Sequence, residues 1–231
     1  MRHLDTANQL NNLALVYKEQ GRHEEAEVLF LKALKIKENQ LGREHLDLAT
    51  PLHNLAALYA SQAKYEKAEA LYHRSLDVVE KHLGPDHLRA SSTLRYLGIL
   101  YGLKGDREKA ESYYLRSLEI REAQLGSDHL DTARTVRDLA SVYKEQGRYE
   151  ESEKLYLRAL AIREAKLGPD HTETAIAVHG LASLYGNQGK DEEAEKLYLR
   201  ALKIREAKLG EMHRGTGETL NNLALLYYRQ R

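Results

Sequence analysis

Leu41-Gly42-Arg43-Glu44-His45 returns as Leu83-Gly84-Pro85-Asp86-His87, Leu125-Gly126-Ser127-Asp128-His129, Leu167-Gly168-Pro169-Asp170-His171 and Leu209-Gly210-Glu211-Met212-His213. The interval is 42 residues every time, with no insertion. His3 lies one interval earlier, and a tyrosine keeps the same spacing at Tyr17, Tyr59, Tyr101, Tyr143, Tyr185 and Tyr227. A fixed period of this size marks a stack of like supersecondary units, each burying its apolar face against its neighbours. The 231 residues are therefore read as a single array over 1–231, with its frame starting near 3, 45, 87, 129, 171 and 213, and not as one or two globular domains.

Within the unit from Asn8 to Ala49, Leu10, Leu13, Ala14 and Tyr17 lie at i, i+3, i+4 and i+7, the apolar stripe of one helix. Gly21 interrupts it, as Gly147 and Gly189 do later, and a second stripe follows at Ala26, Leu29, Phe30, Ala33 and Leu34. The Gly of Leu41-Gly42 stands where a helix C-terminus would stop. Each unit is thus a hairpin of a helix A and a slightly longer helix B. The A helices are predicted at 5–20, 47–62, 89–104, 131–146, 173–188 and 215–230, and the B helices at 23–40, 65–82, 107–124, 149–166 and 191–208. Ala14, Ala56, Gly98, Ala140, Ala182 and Ala224 share one register of helix A, and Phe30, Tyr72, Tyr114, Tyr156 and Tyr198 share one of helix B. Small against large at fixed registers is how two helices interdigitate. The expected fold is all-α, a right-handed α-solenoid of about eleven helices.

The composition excludes several functions. Lys plus Arg equals Asp plus Glu at 35 each, so there is no global basic field for nucleic acid or an anionic membrane. No stretch approaches the roughly 18 apolar residues of a membrane span, and Met1-Arg2-His3-Leu4-Asp5 does not begin a signal peptide. There is no cysteine, which removes disulfides, thiolate catalysis and cysteine-ligated zinc and fits a cytoplasmic setting. The last unit stops after Tyr227-Tyr228-Arg229-Gln230-Arg231, before a helix B. That leads to two expectations: a fragment of a longer protein, or an open end that pairs with another copy to give a homo-oligomer.

The units resemble the tetratricopeptide repeat, lengthened from about 34 residues. More specifically they resemble the repeats of the kinesin light chain family, on Leu10-Asn11-Asn12-Leu13-Ala14, Tyr17, Gln20-Gly21, Glu25-Ala26-Glu27, Ala33-Leu34-Lys35-Ile36 and Leu41-Gly42. The copy from Glu193 to Tyr198 and on through Ile204-Arg205-Glu206 is close to that family's consensus. The resemblance implies a cytosolic scaffold whose A helices line a concave groove that holds peptide segments of a partner. The chain departs from the family at the position after each loop histidine, where Leu4, Leu46, Leu88, Leu130, Thr172 and Arg214 replace the usual proline. A heptad coiled coil for docking on a motor is also missing, so a motor subunit is not implied.

By that similarity, Asn11, Asn12, Asn54, Asn221 and Asn222 are groove residues whose amides could hold an extended peptide backbone. In the central units the same registers carry His53, Arg95 with Tyr96, Arg137 with Asp138, and His179, with Arg134, Ile99 and Ser141 elsewhere on that face. Arg95, Arg134 and Arg137 would make a basic strip beside an apolar patch of Tyr96 and Ile99, suited to an acidic peptide with an apolar or aromatic anchor. The periodic histidines lie about 10 Å apart in such a stack, too far to share an ion, so their expected role is structural, tying each loop to the neighbouring hairpin. No metal, cofactor or catalytic residue is expected, and no phosphate loop or nucleophile elbow is present. The leading expectation is a protein or peptide partner held in the groove. Self-assembly through the open ends is the alternative, and an enzyme or a nucleic-acid reader is not expected.

Overall fold

The computed structural model describes residues 2–230. Among them are eleven α-helices: α1 (Arg2–Glu19), α2 (His23–Leu41), α3 (Ala49–Ser61), α4 (Tyr65–Leu83), α5 (Leu88–Leu103), α6 (Arg107–Leu125), α7 (Leu130–Glu145), α8 (Tyr149–Leu167), α9 (Thr172–Asn187), α10 (Asp191–Leu209) and α11 (Arg214–Arg229). A short 3-10 turn, Leu46–Leu48, leads into α3. The odd-numbered helices are the A helices and the even-numbered ones the B helices, so the chain is all-α and made of tandem helical hairpins. It forms two compact units, Met1–Ile120 and Arg121–Arg231. No helix of the described residues is long and apolar enough to cross a membrane.

The 42-residue punctuation has a backbone cause. Each B helix ends on a glycine that donates its N–H to the carbonyl four residues back, and Gly42 does so at φ 86° and ψ 162°. Only glycine occupies that region without strain. Three residues on, a histidine starts the next A segment. His87, His129, His171 and His213 cap α5, α7, α9 and α11, each Nδ1 accepting from the backbone N–H two residues later, and His45 caps the 3-10 turn in the same way. The periodic histidines are therefore structural, but as caps of their own segments; the expected tie to the neighbouring hairpin is replaced by a local one. His3 lies inside α1.

In unit 1, the aromatic B-helix residues Phe30, Tyr72 and Tyr114 are buried against A helices. A Cβ added at Gly98 would come within 2.8 Å of the Tyr114 ring, so this ring packs directly on the α5 backbone. The A-helix tyrosines bind back to the preceding B helix: Tyr59 Oη donates to Glu27 at 2.9 Å and Tyr101 Oη to Glu69 at 2.6 Å. Lys64 and Lys104 pair with the same two carboxylates. On the outer side, Arg74 pairs with Glu38 at 2.6 Å and donates to the Arg43 carbonyl at 2.9 Å, and Arg116 does the same to Glu80 and Pro85.

Unit 2 repeats these contacts. Tyr156 and Tyr198 are buried, Tyr185 donates to Glu153 at 2.9 Å and Tyr227 to Glu195 at 2.7 Å. Arg158 holds Glu122 and the Ser127 carbonyl, and Arg200 holds Glu164 and the Pro169 carbonyl. The B helices α6, α8 and α10 also bury a cation at one register. Arg121 donates to the Asp131 carbonyl at 2.7 Å and to Thr135 Oγ1 at 3.0 Å, Arg205 donates to the Gly215 carbonyl and to Thr219 Oγ1, and Arg163 is 1% exposed with Glu173 3.7 Å away.

Two stability outcomes follow from these packing details. Truncating Tyr101 to alanine removes a buried ring stacked 5.3 Å from Tyr113 together with its link to Glu69, and lowers stability by about 3–5 kcal/mol; the melting temperature of the variant checks it. Ala63 occupies the left-handed region at φ 57°, where the other hairpins have glycine (Gly21, Gly105, Gly147, Gly189). The Ala63→Gly variant is expected to be more stable by about 0.5–1 kcal/mol, because relief of side-chain strain outweighs the added freedom of the unfolded chain. An unchanged or lower melting temperature would contradict that balance.

Candidate functional site

The A-helix face of unit 1 carries Asn11 and Asn12 on α1, His53 and Asn54 on α3, and Arg95, Tyr96 and Ile99 on α5. Asn54 Nδ2 donates to Asn11 Oδ1 at 3.2 Å, so two of the asparagines bond one another across neighbouring A helices. Asn11 is buried, whereas Asn12 is exposed. His53 meets Tyr96 edge-on at 4.6 Å between ring centroids and Tyr72 at 5.3 Å, and the two tyrosine rings stack at 6.0 Å. Burial, reinforced by the charge of Lys18, drives the His53 pKa down to about 4, so it is neutral at pH 7. The Arg95 guanidinium stands 5.5 Å from the Tyr96 centroid.

Unit 2 carries Arg134, Arg137, Asp138 and Ser141 on α7, His179 on α9, and Asn221 and Asn222 on α11. Here the face is largely self-satisfied. Arg134 pairs with Asp131 at 3.1 Å and Arg137 with Asp138. Burial opposes the Arg137 charge, yet the adjacent Asp138 carboxylate holds its pKa above the ordinary arginine value. Two of the three arginines of the expected basic strip therefore carry internal counter-charges from their own helix. His179 lies against Tyr198, its Nε2 3.1 Å from the Asn222 amide and its Nδ1 3.3 Å from Thr219 Oγ1. An Asn222 N–H donated to Nε2 requires the proton on Nδ1, the neutral tautomer. Burial, with Arg205 nearby, lowers the His179 pKa to about 4. Asn221 is exposed.

The structure also brings forward residues that the reading of motifs passed over. Lys144 on α7 is held by Ser183 on α9 at 3.0 Å, and burial lowers its pKa. Ser183, Asn187, Tyr198 and Asn222 line a concavity of about 250 Å³ on the A-helix side of unit 2. Tyr156 passes so close to α9 that a Cβ at Gly180 would lie 2.5 Å from its ring, which explains why this groove register has no side chain in that repeat. Registers 18, 60, 102, 144, 186 and 228 read Lys, Ala, Gly, Lys, Gly and Tyr, so a lysine shared by only two repeats is visible in the aligned sequence.

A tetratricopeptide repeat family profile matches residues 5–81, 47–123, 103–165, 131–207 and 173–231, and the chain belongs to that family. No curated protein sequence is significantly similar to it. Among solved structures, BtubC (BKLC) from P. vanneervenii superposes with a TM-score of 0.77 at 24% identity, covering 90% of this chain and 83% of that one. A putative kinesin light chain of nearly identical repeats from Podosopora anserina gives 0.75 at 23% identity, covering 90% and 99%. The tetratricopeptide sensor protein of the signal transduction ATPase class from Pyrococcus horikoshii gives 0.77 at 19% identity, covering 97% of this chain and 33% of that one. At these identities the likeness is one of fold.

The two buried histidines give the site a pH signature. Both have folded pKa values near 4, below the ordinary 6.5, so the unfolded chain binds more protons between those limits. Their stabilising contribution is complete above pH 6.5 and is lost as pH falls towards 4. A His53→Asn/His179→Asn variant, which restores the asparagine of the outer repeats, should flatten the fall in urea midpoint between pH 6.5 and pH 4.5. An undiminished slope in that variant would assign the acid sensitivity to other groups.

Proposed function

We propose that this tetratricopeptide chain is a non-catalytic interaction scaffold that holds an extended peptide segment of a partner protein along its A-helix faces. The observation that carries the reading is the contrast between frame and face. The tyrosine–glutamate links, the loop glycines and the histidine caps repeat with little change, while the A-face registers change from Asn11 to His53, Arg95, Arg137 and His179. A backbone scaffold needs the first set; only recognition gives a use to varied side chains in the second. Asn12 and Asn221 are exposed and make no side-chain hydrogen bond among the described residues, so their amides are open to a peptide backbone.

Arg95 beside Tyr96 favours a segment with an acidic residue and an apolar or aromatic anchor. Arg134 and Arg137 already pair with Asp131 and Asp138, so an acidic ligand residue at α7 would compete with those pairs. Zero net charge and the absence of cysteine fit a protein partner in the cytoplasm and disfavour a nucleic acid or a membrane surface.

The test is positional. A benzophenone amino acid placed at Asn12, Ile99 or Ser141 on the A face should cross-link a partner from native lysate. The same group at Lys32, Glu119 or Lys203, which are exposed on B helices, should not. Adducts from the B-helix positions alone would overturn the groove reading. Adducts only between copies of the chain would replace recognition by self-assembly.

A further inference from the structure

One repeat breaks the buried-cation register. Lys37, Arg121, Arg163 and Arg205 occupy it in four B helices, and Val79 occupies it in α4. Lys37, Arg121 and Arg205 reach a backbone carbonyl ten residues on, and Arg121 and Arg205 also a threonine hydroxyl four residues beyond that. The corresponding positions after Val79 are Arg89 and Thr93. Opposite the cation, the other repeats carry Asp47, Asp131, Glu173 and Gly215; here the position is Arg89. The charge arrangement is thus inverted: an apolar side chain in the B helix, a cation in the next A helix.

A cavity of about 160 Å³ opens at this place, wholly within unit 1, lined in part by Thr50 and His53 of α3, Ser75 and Val79 of α4, and Arg89 and Thr93 of α5. No carboxylate lines it. Ser75 Oγ is committed to the Ala49 carbonyl at 2.9 Å. The side chains of Thr50, His53, Arg89 and Thr93 form no hydrogen bond or ion pair among the described residues, and Thr93 is only 3% exposed. Four potential donors from two helices, one of them a full positive charge, therefore line a space large enough for a small solute without a hydrogen-bond or ion-pair partner of their own.

We propose that this cavity is a phosphate-binding site, taking inorganic phosphate or the phosphate group of a phosphorylated side chain. The guanidinium of Arg89 supplies the charge and a planar fork that matches two phosphate oxygens. Thr50, His53 and Thr93 line the same space and add donors from both α3 and α5, which suits an oxyanion with more than two oxygens to satisfy. Val79 creates the room: an arginine there, as at Arg121, would fill the cavity and repel the anion's counter-cation Arg89. The site does not depend on the peptide reading above, since it would bind free phosphate whether or not a peptide occupies the A face.

The test is calorimetric titration of the full chain with inorganic phosphate at fixed ionic strength and pH 7.5, with acetate and O-phosphoserine as parallel arms. Saturable phosphate binding is expected. It should weaken by about tenfold or more in Arg89→Gln, the loss of one charge-assisted contact, and disappear in Val79→Arg/Arg89→Asp, which installs the arrangement of Arg121 and Asp131. The melting temperature of both variants establishes that they fold, and Arg89→Gln alone decides the matter if the double variant does not. O-phosphoserine binding tighter than phosphate would identify a phosphorylated side chain as the source, and weaker binding the free ion; both support the site. Absence of saturation, equal binding of acetate, or unchanged affinity in Arg89→Gln would overturn it.

Discussion

The ring at one register of every B helix fixes how closely the helices of each unit can approach. Phe30, Tyr72, Tyr114, Tyr156 and Tyr198 are all 5% exposed or less. Tyr114 and Tyr156 lie so near an A helix that no Cβ fits at Gly98 or Gly180. A rigid ring with few rotamers, wedged against small residues, sets a spacing that flexible side chains would leave loose. The tyrosine–glutamate links and the arginine staples can then recur at constant geometry, because the helices bearing them are already held at a constant separation. Without that wedge, half-buried ion pairs such as Arg116–Glu80 would open to solvent and contribute little, since solvent screens them.

The period made the fold legible. It placed every B helix within one residue of its observed ends and the A helices within about three. The loop glycine was recognised as a helix stop from its position, and the structure adds the reason: the backbone at Gly42 takes a conformation closed to other residues. Distance alone assigns the histidine a structural role, and the helix caps agree with it. Its partner, the backbone N–H two residues ahead, leaves no trace in a comparison of repeats.

The candidate face was legible only as a set of positions. Sequence spacing shows which residues share the A face; it does not show that Arg137 spends its charge on Asp138 or that Asn54 spends its amide on Asn11. Such pairings depend on rotamers and on distances of a few tenths of an ångström, which a periodic pattern does not encode. The buried-cation register was legible in principle. It lay on helix B, outside the face on which the family resemblance concentrates attention.

The same physical rule governs the frame and its exceptions. A buried charge is tolerated when neighbouring groups complete its hydrogen bonds, as the Asp131 carbonyl and Thr135 do for Arg121. Burial still lowers the pKa of such a cation without discharging it at neutral pH: burial, with Arg137 nearby, brings Arg163 down to about 10. Where the buried group titrates easily it is neutral, as His53 and His179 are. Repeat proteins can alter one register without disturbing the next, because each unit answers only to its neighbours. Replacing a satisfied arginine by Val79 therefore leaves the frame intact while freeing Thr93 and setting Arg89 beside an open space. New chemistry in such an array arises where one unit withdraws a group that the others use to satisfy themselves.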